Sequence, residues 1–182
     1  MPTQLERRTA TRARILDAAG AVFASRGYDR ATLDEIAGRA GVSKGAVYHS
    51  FRSKDDLFLA LLEQQLGERL AAGPRGAGPD MAAAFVDRVG HDPRWGPLFF
   101  EFVARCARDA DLRPRFAGFL RDARARVEAL TGDGQPAGTL TPAEHATVVT
   151  ALVNGLVLER MFAPDEVAPD LLTRALALLV KP

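Results

Sequence analysis

The side chains best suited to meeting an anion stand close together in residues 43–50, SKGAVYHS: the ammonium of Lys44, the phenol of Tyr48 and the imidazole of His49. Gly45 and Ala46 between them are too small to hold a backbone away from a surface. Read as a helix capped by Ser43, the segment turns Val47 and Phe51, four apart, inward and leaves Lys44, Gly45, Ala46, Tyr48, His49 and Ser50 largely outward. An outward edge of one cation, small residues and two polar rings fits the major groove of duplex DNA, which admits a single helix. Lys44 would donate to guanine O6 or N7, and Tyr48 and His49, one turn on, would meet phosphate oxygens. Catalysis has no comparable set. His49, His91 and His145 have no neighbouring ligand at metal spacing, no nucleophile elbow occurs, and no Gly-rich loop follows a strand. The lone Cys106 excludes an intramolecular disulfide and a thiolate metal site. No catalytic, metal or cofactor site is expected, and His91 and His145 read as surface residues.

The elements that must position this edge lie on both sides of it. Thr32 and Glu35 form the pattern of a capping box, and Leu33, Ile36, Ala37 and Ala40 then fall on one helical face. Gly41 stands where a left-handed residue ends a helix, and Val42 adds an apolar contact past the stop. Two short helices about a Gly turn make a helix-turn-helix, with residues 44–50 as its recognition helix. Upstream, Ile15, Ala18, Ala19, Val22 and Phe23 predict a helix from about Thr11 to a stop at Gly27, and Tyr28 packs just beyond it. The expected core of the three-helix unit is Ile15, Ala19, Val22, Phe23, Leu33, Ile36, Ala37, Ala40, Val42, Val47 and Phe51. Ser53 and Asp56 repeat the cap pattern, and Lys54 in the following first turn is placed to favour a phosphate. The fourth helix, 53–72, carries Leu57, Phe58, Leu61, Leu62, Leu66 and Leu70 and spans ~30 Å, enough to act as a lever.

The order TLDEIA (32–37), AGVS (40–43), Gly45, Val47-Tyr48, Phe51 and SKDDL (53–57) resembles the signature of the tetracycline-repressor (TetR) family of bacterial transcription regulators, over roughly residues 9–62. Ser50 and Ala46 depart from it, where an aromatic or His and a Thr are common. The resemblance implies phosphate contacts from Thr32, Ser43, Tyr48, His49 and Lys54, with Lys44, Gly45 and Ala46 nearest the bases. It also implies a homodimer and a small-molecule inducer held by the larger domain.

Composition supports a helical chain with a core: 182 residues, 47% hydrophobic. The net charge of +1 is divided unevenly, since residues 1–52 hold nine Lys/Arg against five acids and the remainder fifteen against eighteen. A basic third on an acidic remainder is the footprint of one part that meets phosphate and one that does not. Residues 1–8 read as a mobile polar leader, with Arg7, Arg8, Arg12 and Arg14 as a basic arm toward DNA. No apolar leader or membrane span is evident, so a cytoplasmic protein is expected.

A Gly/Pro loop over 73–80 interrupts the fourth helix. Further helices are expected over 79–89, 95–108 and 112–130, then after a loop at 132–138 from Thr141 to Phe162, and last to Val180. That gives an all-α fold of about nine helices, divided into a DNA-binding domain (9–55) and a ligand-binding and dimerisation domain (56–182). The last two helices are apolar on more than one face, so residues 144–180 are expected to form a homodimer, presenting two recognition helices ~34 Å or a multiple apart to a palindrome. Phe85, Trp95, Phe99, Phe102, Phe116 and Phe119, with Asn154 as a polar group, form the candidate effector pocket, and plain core is the competing reading for the aromatics. Together these features point to a ligand-responsive DNA-binding repressor. An architectural DNA-binding protein without a ligand, and a small helical enzyme or carrier with an incidental helix-turn-helix, are the alternatives.

Overall fold

The computed structural model of the chain describes residues 3–71, 95–131 and 140–179. Within them every regular element is a helix, eight in order: α1 (Gln4–Arg26), α2 (Leu33–Ala40), α3 (Lys44–Ser50), α4 (Lys54–Ala71), α5 (Trp95–Arg108), α6 (Leu112–Thr131), α7 (Pro142–Phe162) and α8 (Leu171–Leu179). The all-α expectation holds. The helix expected over 79–89, the loops at 73–80 and 132–138, and the candidates Phe85 and His91 lie outside the described residues. Among the described residues no helix is long and apolar enough to cross a membrane.

The first helix begins at Gln4 rather than near Thr11. A capping box sets its start: Thr3 Oγ1 accepts from the Glu6 N–H at 3.2 Å, and Glu6 Oε2 accepts from the Thr3 N–H at 2.6 Å. Leu5 is 74% exposed, so the opening turns bury nothing and left no apolar rhythm to read. Residues 4–8 are therefore helical, not a mobile leader.

The first three helices build the expected unit. Ile15, Ala19, Val22, Phe23, Ile36, Ala37, Ala40, Val47 and Phe51 are buried, and Leu33 and Val42 pack against them half-buried. The core does not stop at the end of α3. Phe58 of α4 meets Phe23 and Tyr28 edge-on at 5.0 and 5.2 Å, and Phe102 of α5 meets Phe58 at 4.5 Å and Tyr28 at 5.2 Å. Phe116 of α6 continues the chain of rings at 6.1 Å from Phe102. Each such ring contributes about 1.5–3 kcal/mol by leaving water, so α4 and α5 are bonded into the helix-turn-helix core rather than merely adjoining it.

A second, smaller cluster forms where α7 lies on α6 and α8, from Val149, Val153 and Leu172 with Val127, Leu152 and Leu156. His145 belongs to this buried face of α7 and is only 3% exposed, correcting its reading as a surface residue. Its position explains why: His145, Val149, Val153 and Val157 recur every four residues along the buried face of α7.

Candidate nucleic-acid interface

The turn that presents α3 is fixed atom by atom. Thr32 Oγ1 accepts from the Glu35 N–H at 3.2 Å, and a Glu35 carboxylate oxygen accepts from the Thr32 N–H at 3.2 Å, which starts α2. Gly41 ends it in the left-handed region, φ 63° and ψ 39°. The Gly41 N–H donates to Gly38 O at 3.2 Å and the Val42 N–H to Ala37 O at 3.1 Å, the two bonds of a Schellman stop. Arg14 then reaches from α1 and donates through Nη2 to Ala40 O at 2.5 Å and Gly41 O at 3.1 Å. A side chain at Gly41 would be strained by its φ and would meet Arg14 Nη2 at 3.1 Å.

From this turn α3 starts at Ser43, whose Oγ accepts from the Ala46 N–H at 3.2 Å. Val47 at 0% and Phe51 at 4% exposure anchor its inner side. At its other end Arg12 donates to Ser50 O at 3.4 Å and lays its guanidinium 4.4 Å from the Phe51 ring centroid. The basic arm read from sequence thus turns two of its arginines inward, onto the C-terminal carbonyls of α2 and α3, where a cation favours the helix dipole.

The outer edge gathers five of the expected contacts. Ser43, Lys44, Gly45, Tyr48 and His49 are exposed on it, Tyr48 to 50%, while Ala46 is half-buried. Lys44 Nζ lies 2.9 Å from both carboxylate oxygens of Asp34 on α2, and that hydrogen bond and charge raise its pKa. Thr32 stands apart on α2's cap, its hydroxyl donating to Glu35 at 3.2 Å. Lys54 is turned elsewhere. Its ammonium donates to the carbonyls of Tyr28 (2.8 Å), Asp29 (3.0 Å) and Ala31 (3.2 Å) and rests 4.6 Å from the Tyr28 ring centroid. All three of its protons are engaged by the α1–α2 loop.

Behind the interface, α5 grips the same loop. Glu101 accepts from the N–H groups of Tyr28 and Asp29 at 3.0 and 3.1 Å, and Arg105 holds Asp55 through Nε at 2.8 Å and Nη2 at 3.3 Å. Tyr28 donates its phenol to the same Asp55, and Arg115 of α6 pairs with Asp56. Burial, then the Asp55 acceptor, drives the Tyr28 phenol far above its ordinary value. Burial alone would push Asp55 up, but the bonds from Arg105 and Tyr28 and the charges of Arg105 and Lys54 outweigh it and hold the carboxyl below the usual range. Sequence reasoning did not foresee this network or the Asp34 pairing, and it sent Arg14 toward DNA rather than onto the turn. Only the i, i+4 spacing of Glu101 and Arg105 on an otherwise apolar helix signalled the network.

The effector candidates fall into two groups. Phe102, at 0% exposure, is locked among Tyr28, Phe58 and Phe116 as junction core. Trp95, Phe99, Phe119 and Asn154 are half-buried, and Phe116 bridges Phe99 and Phe119 at 6.2 and 5.7 Å. At the far end, among the described residues, α7 keeps a second apolar face exposed. Val148, Ala151, Gly155, Leu158 and Phe162, spaced 3-4-3-4, are all exposed, Phe162 to 80%, as is Leu178 on α8, also to 80%. A Cβ built on Gly155 would meet nothing within 4 Å.

Comparison with known proteins agrees with this arrangement. The family described as bacterial regulatory proteins, tetR family, matches residues 15–61, and that of the BetI-type transcriptional repressor, C-terminal, matches residues 74–181. The HTH-type transcriptional activator FasR of Mycolicibacterium smegmatis is 40% identical over 100 residues, which are 50% of this chain and 45% of FasR, so the chain spans less than half the length of that relative. The HTH-type transcriptional repressor SCO4008 of Streptomyces coelicolor is 30% identical over 143 residues, 74% of this chain and 69% of that protein. The crystal structure of a transcriptional regulator from Rhodococcus sp. Rha1 superposes with a TM-score of 0.65 at 28% identity, covering 91% of both chains. With one match on the helix-turn-helix and another on most of the chain beyond it, the chain belongs to the tetR family of bacterial regulatory proteins.

Proposed function

We propose that the chain is a ligand-responsive DNA-binding transcriptional repressor that occupies a palindromic operator as a homodimer and is released by a small-molecule inducer. Residues 9–55 form the DNA-binding domain and residues 56–182 the effector and dimerisation domain. The observation that carries this reading is the exposed edge of α3, Ser43 to His49, held outward by a Schellman turn that Arg14 clamps. Lys44, Gly45 and Ala46 face the bases, and Thr32, Ser43, Tyr48 and His49 face phosphates. Lys54 acts through the α1–α2 loop that it fastens, a change from direct phosphate contact, because its protons are already engaged.

The exposed 3-4-3-4 stripe of α7 together with Leu178 of α8 is the dimer face, since monomers rarely leave such a run of apolar side chains to water. Ala151 and Gly155 at its middle let the partner's helix approach closely. The effector occupies the side of the aromatic cluster that carries Trp95, Phe99, Phe116 and Phe119, with Asn154 of α7 as its polar group and Phe102 reassigned to the core beside it. A ligand that binds one arrangement of the two recognition helices better than the other shifts the population, and one with equal affinity for both does nothing. Such a protein works in the cytoplasm, where the chromosome is.

The test is selection of duplexes from a random pool by the full-length protein, followed by gel shifts across salt. Enrichment of an inverted repeat, bound with a steep fall in affinity as salt rises, is the expected result. A pool that stays random after selection, or binding indifferent to salt, overturns the reading. A reporter driven through the selected repeat then sets the sign, with repression expected and activation as the contrary outcome.

A further inference from the structure

We infer that Glu101, which lies on α5 outside the helix-turn-helix, is a positioning residue for duplex binding, acting by holding the backbone of the α1–α2 loop. The inference rests on the proposed DNA binding and extends it to a residue that never faces DNA.

The loop begins where α1 stops at Gly27, φ 78° and ψ 169°, whose N–H returns to Phe23 O at 2.8 Å. The next two N–H groups, of Tyr28 and Asp29, have no place in α1, and each is taken by a separate oxygen of the Glu101 carboxylate, at 3.0 and 3.1 Å. The carbonyls of the same residues, with that of Ala31, are taken from the opposite side by Lys54. One short loop therefore has its donors held by α5 and its acceptors held by α4. Gly27 is called for by its φ of 78°, and a Cβ there would only touch Glu101 Oε2, at 3.4 Å.

The loop leads through Thr32 into α2, and α2 sets α3 through the Schellman turn, so displacement of Tyr28 and Asp29 is passed to the recognition edge. One turn beyond Glu101 on α5, Arg105 bonds Asp55 at the head of α4, which gives α5 a second point of attachment to the same region. Bonds between a carboxylate and N–H groups are charge-assisted and stronger than neutral ones, and they weaken steeply once stretched by about 1 Å. The same helix carries Trp95 and Phe99 toward the aromatic cluster. Anything that shifts α5 by that amount releases the loop.

The experiment compares the full-length wild type with Glu101→Ala, Glu101→Gln and, as a control for plain loss of stability, Val153→Ala in the separate α7 core. The probes are the duplex selected on the wild type and a random duplex of equal length, with hydrogen exchange read at the Tyr28 and Asp29 amides. Glu101→Ala is expected to weaken the selected duplex on the order of tenfold, leave random-duplex binding nearly unchanged, and expose both amides to exchange. Glu101→Gln, which keeps one carbonyl acceptor, falls between, and Val153→Ala changes none of the three. Selected-duplex affinity in Glu101→Ala equal to wild type, or a loss that Val153→Ala reproduces, overturns the inference alone. A wild type that selects no duplex overturns the DNA-binding reading and the inference with it.

Discussion

The two ends of the molecule are finished to different degrees. Around the helix-turn-helix, polar groups have partners within the chain: Arg14 on the turn, Arg12 on the end of α3, Lys54 and Glu101 on the two sides of one loop, Arg105 and Tyr28 on Asp55. At the α7–α8 end the described core is a small cluster about Val149, Val153 and Leu172, and side chains as large as Leu158, Phe162 and Leu178 face water. Among the described residues, then, the helix-turn-helix is fastened by the chain's own side chains, whereas the α7–α8 end keeps an exposed apolar stripe. That contrast is what a regulator needs if one subunit recognises a half-site and only a pair recognises a site.

The sharpest way to break this comparison is to charge the unsealed face. Leu158→Arg is expected to convert the dimer to a monomer in sedimentation while helical content stays near that of wild type. Loss of the second half-site removes the avidity of a linked pair, so affinity for the selected palindrome should fall about a hundredfold or more, with half-site binding retained. A variant that sediments as wild type would mean that α7 is covered by something other than its copy.

The junction gives a smaller, pH-dependent effect. Asp55 has its folded pKa depressed below 3.8 by Arg105 and Tyr28 against the opposing push of burial. A depressed carboxyl stabilises the fold fully above its unfolded value and loses that contribution as pH falls through the folded one. Thermal stability should therefore drop on acidification below about pH 4, and Asp55→Asn should flatten that part of the curve while lowering stability at neutral pH. An acid limb as steep in the variant as in the wild type would assign the loss to other carboxylates.

The same contrast explains what was legible beforehand. Capping boxes, glycine stops and apolar rhythm are local, and they foretold α2, α3, α7 and the three-helix core down to Val47 and Phe51. The start of α1 at Gln4 was equally local, but its capping box precedes residues that bury nothing, so periodicity passed over it. Contacts between residues far apart in sequence left no such trace. Glu101 meets Tyr28 and Asp29 across more than seventy residues, and nothing in the spacing of either segment names the other. Lys54 and Phe102 were placed on the right helices, but the direction of a side chain depends on which partner packs closest, the carbonyls of the Tyr28 loop for Lys54 and the Phe58 ring for Phe102. His145 was misread for the related reason that a lone imidazole on an apolar helix says nothing until the buried face of that helix is known.

The mildest test concerns Asp34, which stands on the reading head with a charge that opposes its task. Its carboxylate holds Lys44, and both side chains are well exposed, 63% and 59%, so the pair contributes little to stability. To reach a guanine, Lys44 must leave a carboxylate that DNA phosphates themselves repel. Asp34→Asn removes the competing charge, keeps the size and frees the ammonium, so binding to any duplex should tighten about two- to fivefold at low salt, with the gain shrinking as salt rises and the Debye length shortens. Discrimination between the selected and random duplex should narrow, because a held cation chooses its site and a free one does not. Weaker binding in Asp34→Asn would show instead that the carboxylate aims Lys44 at the base edge, and the contrast between a self-contained reading head and an unsealed dimer face would then include a pair that is completed only by DNA.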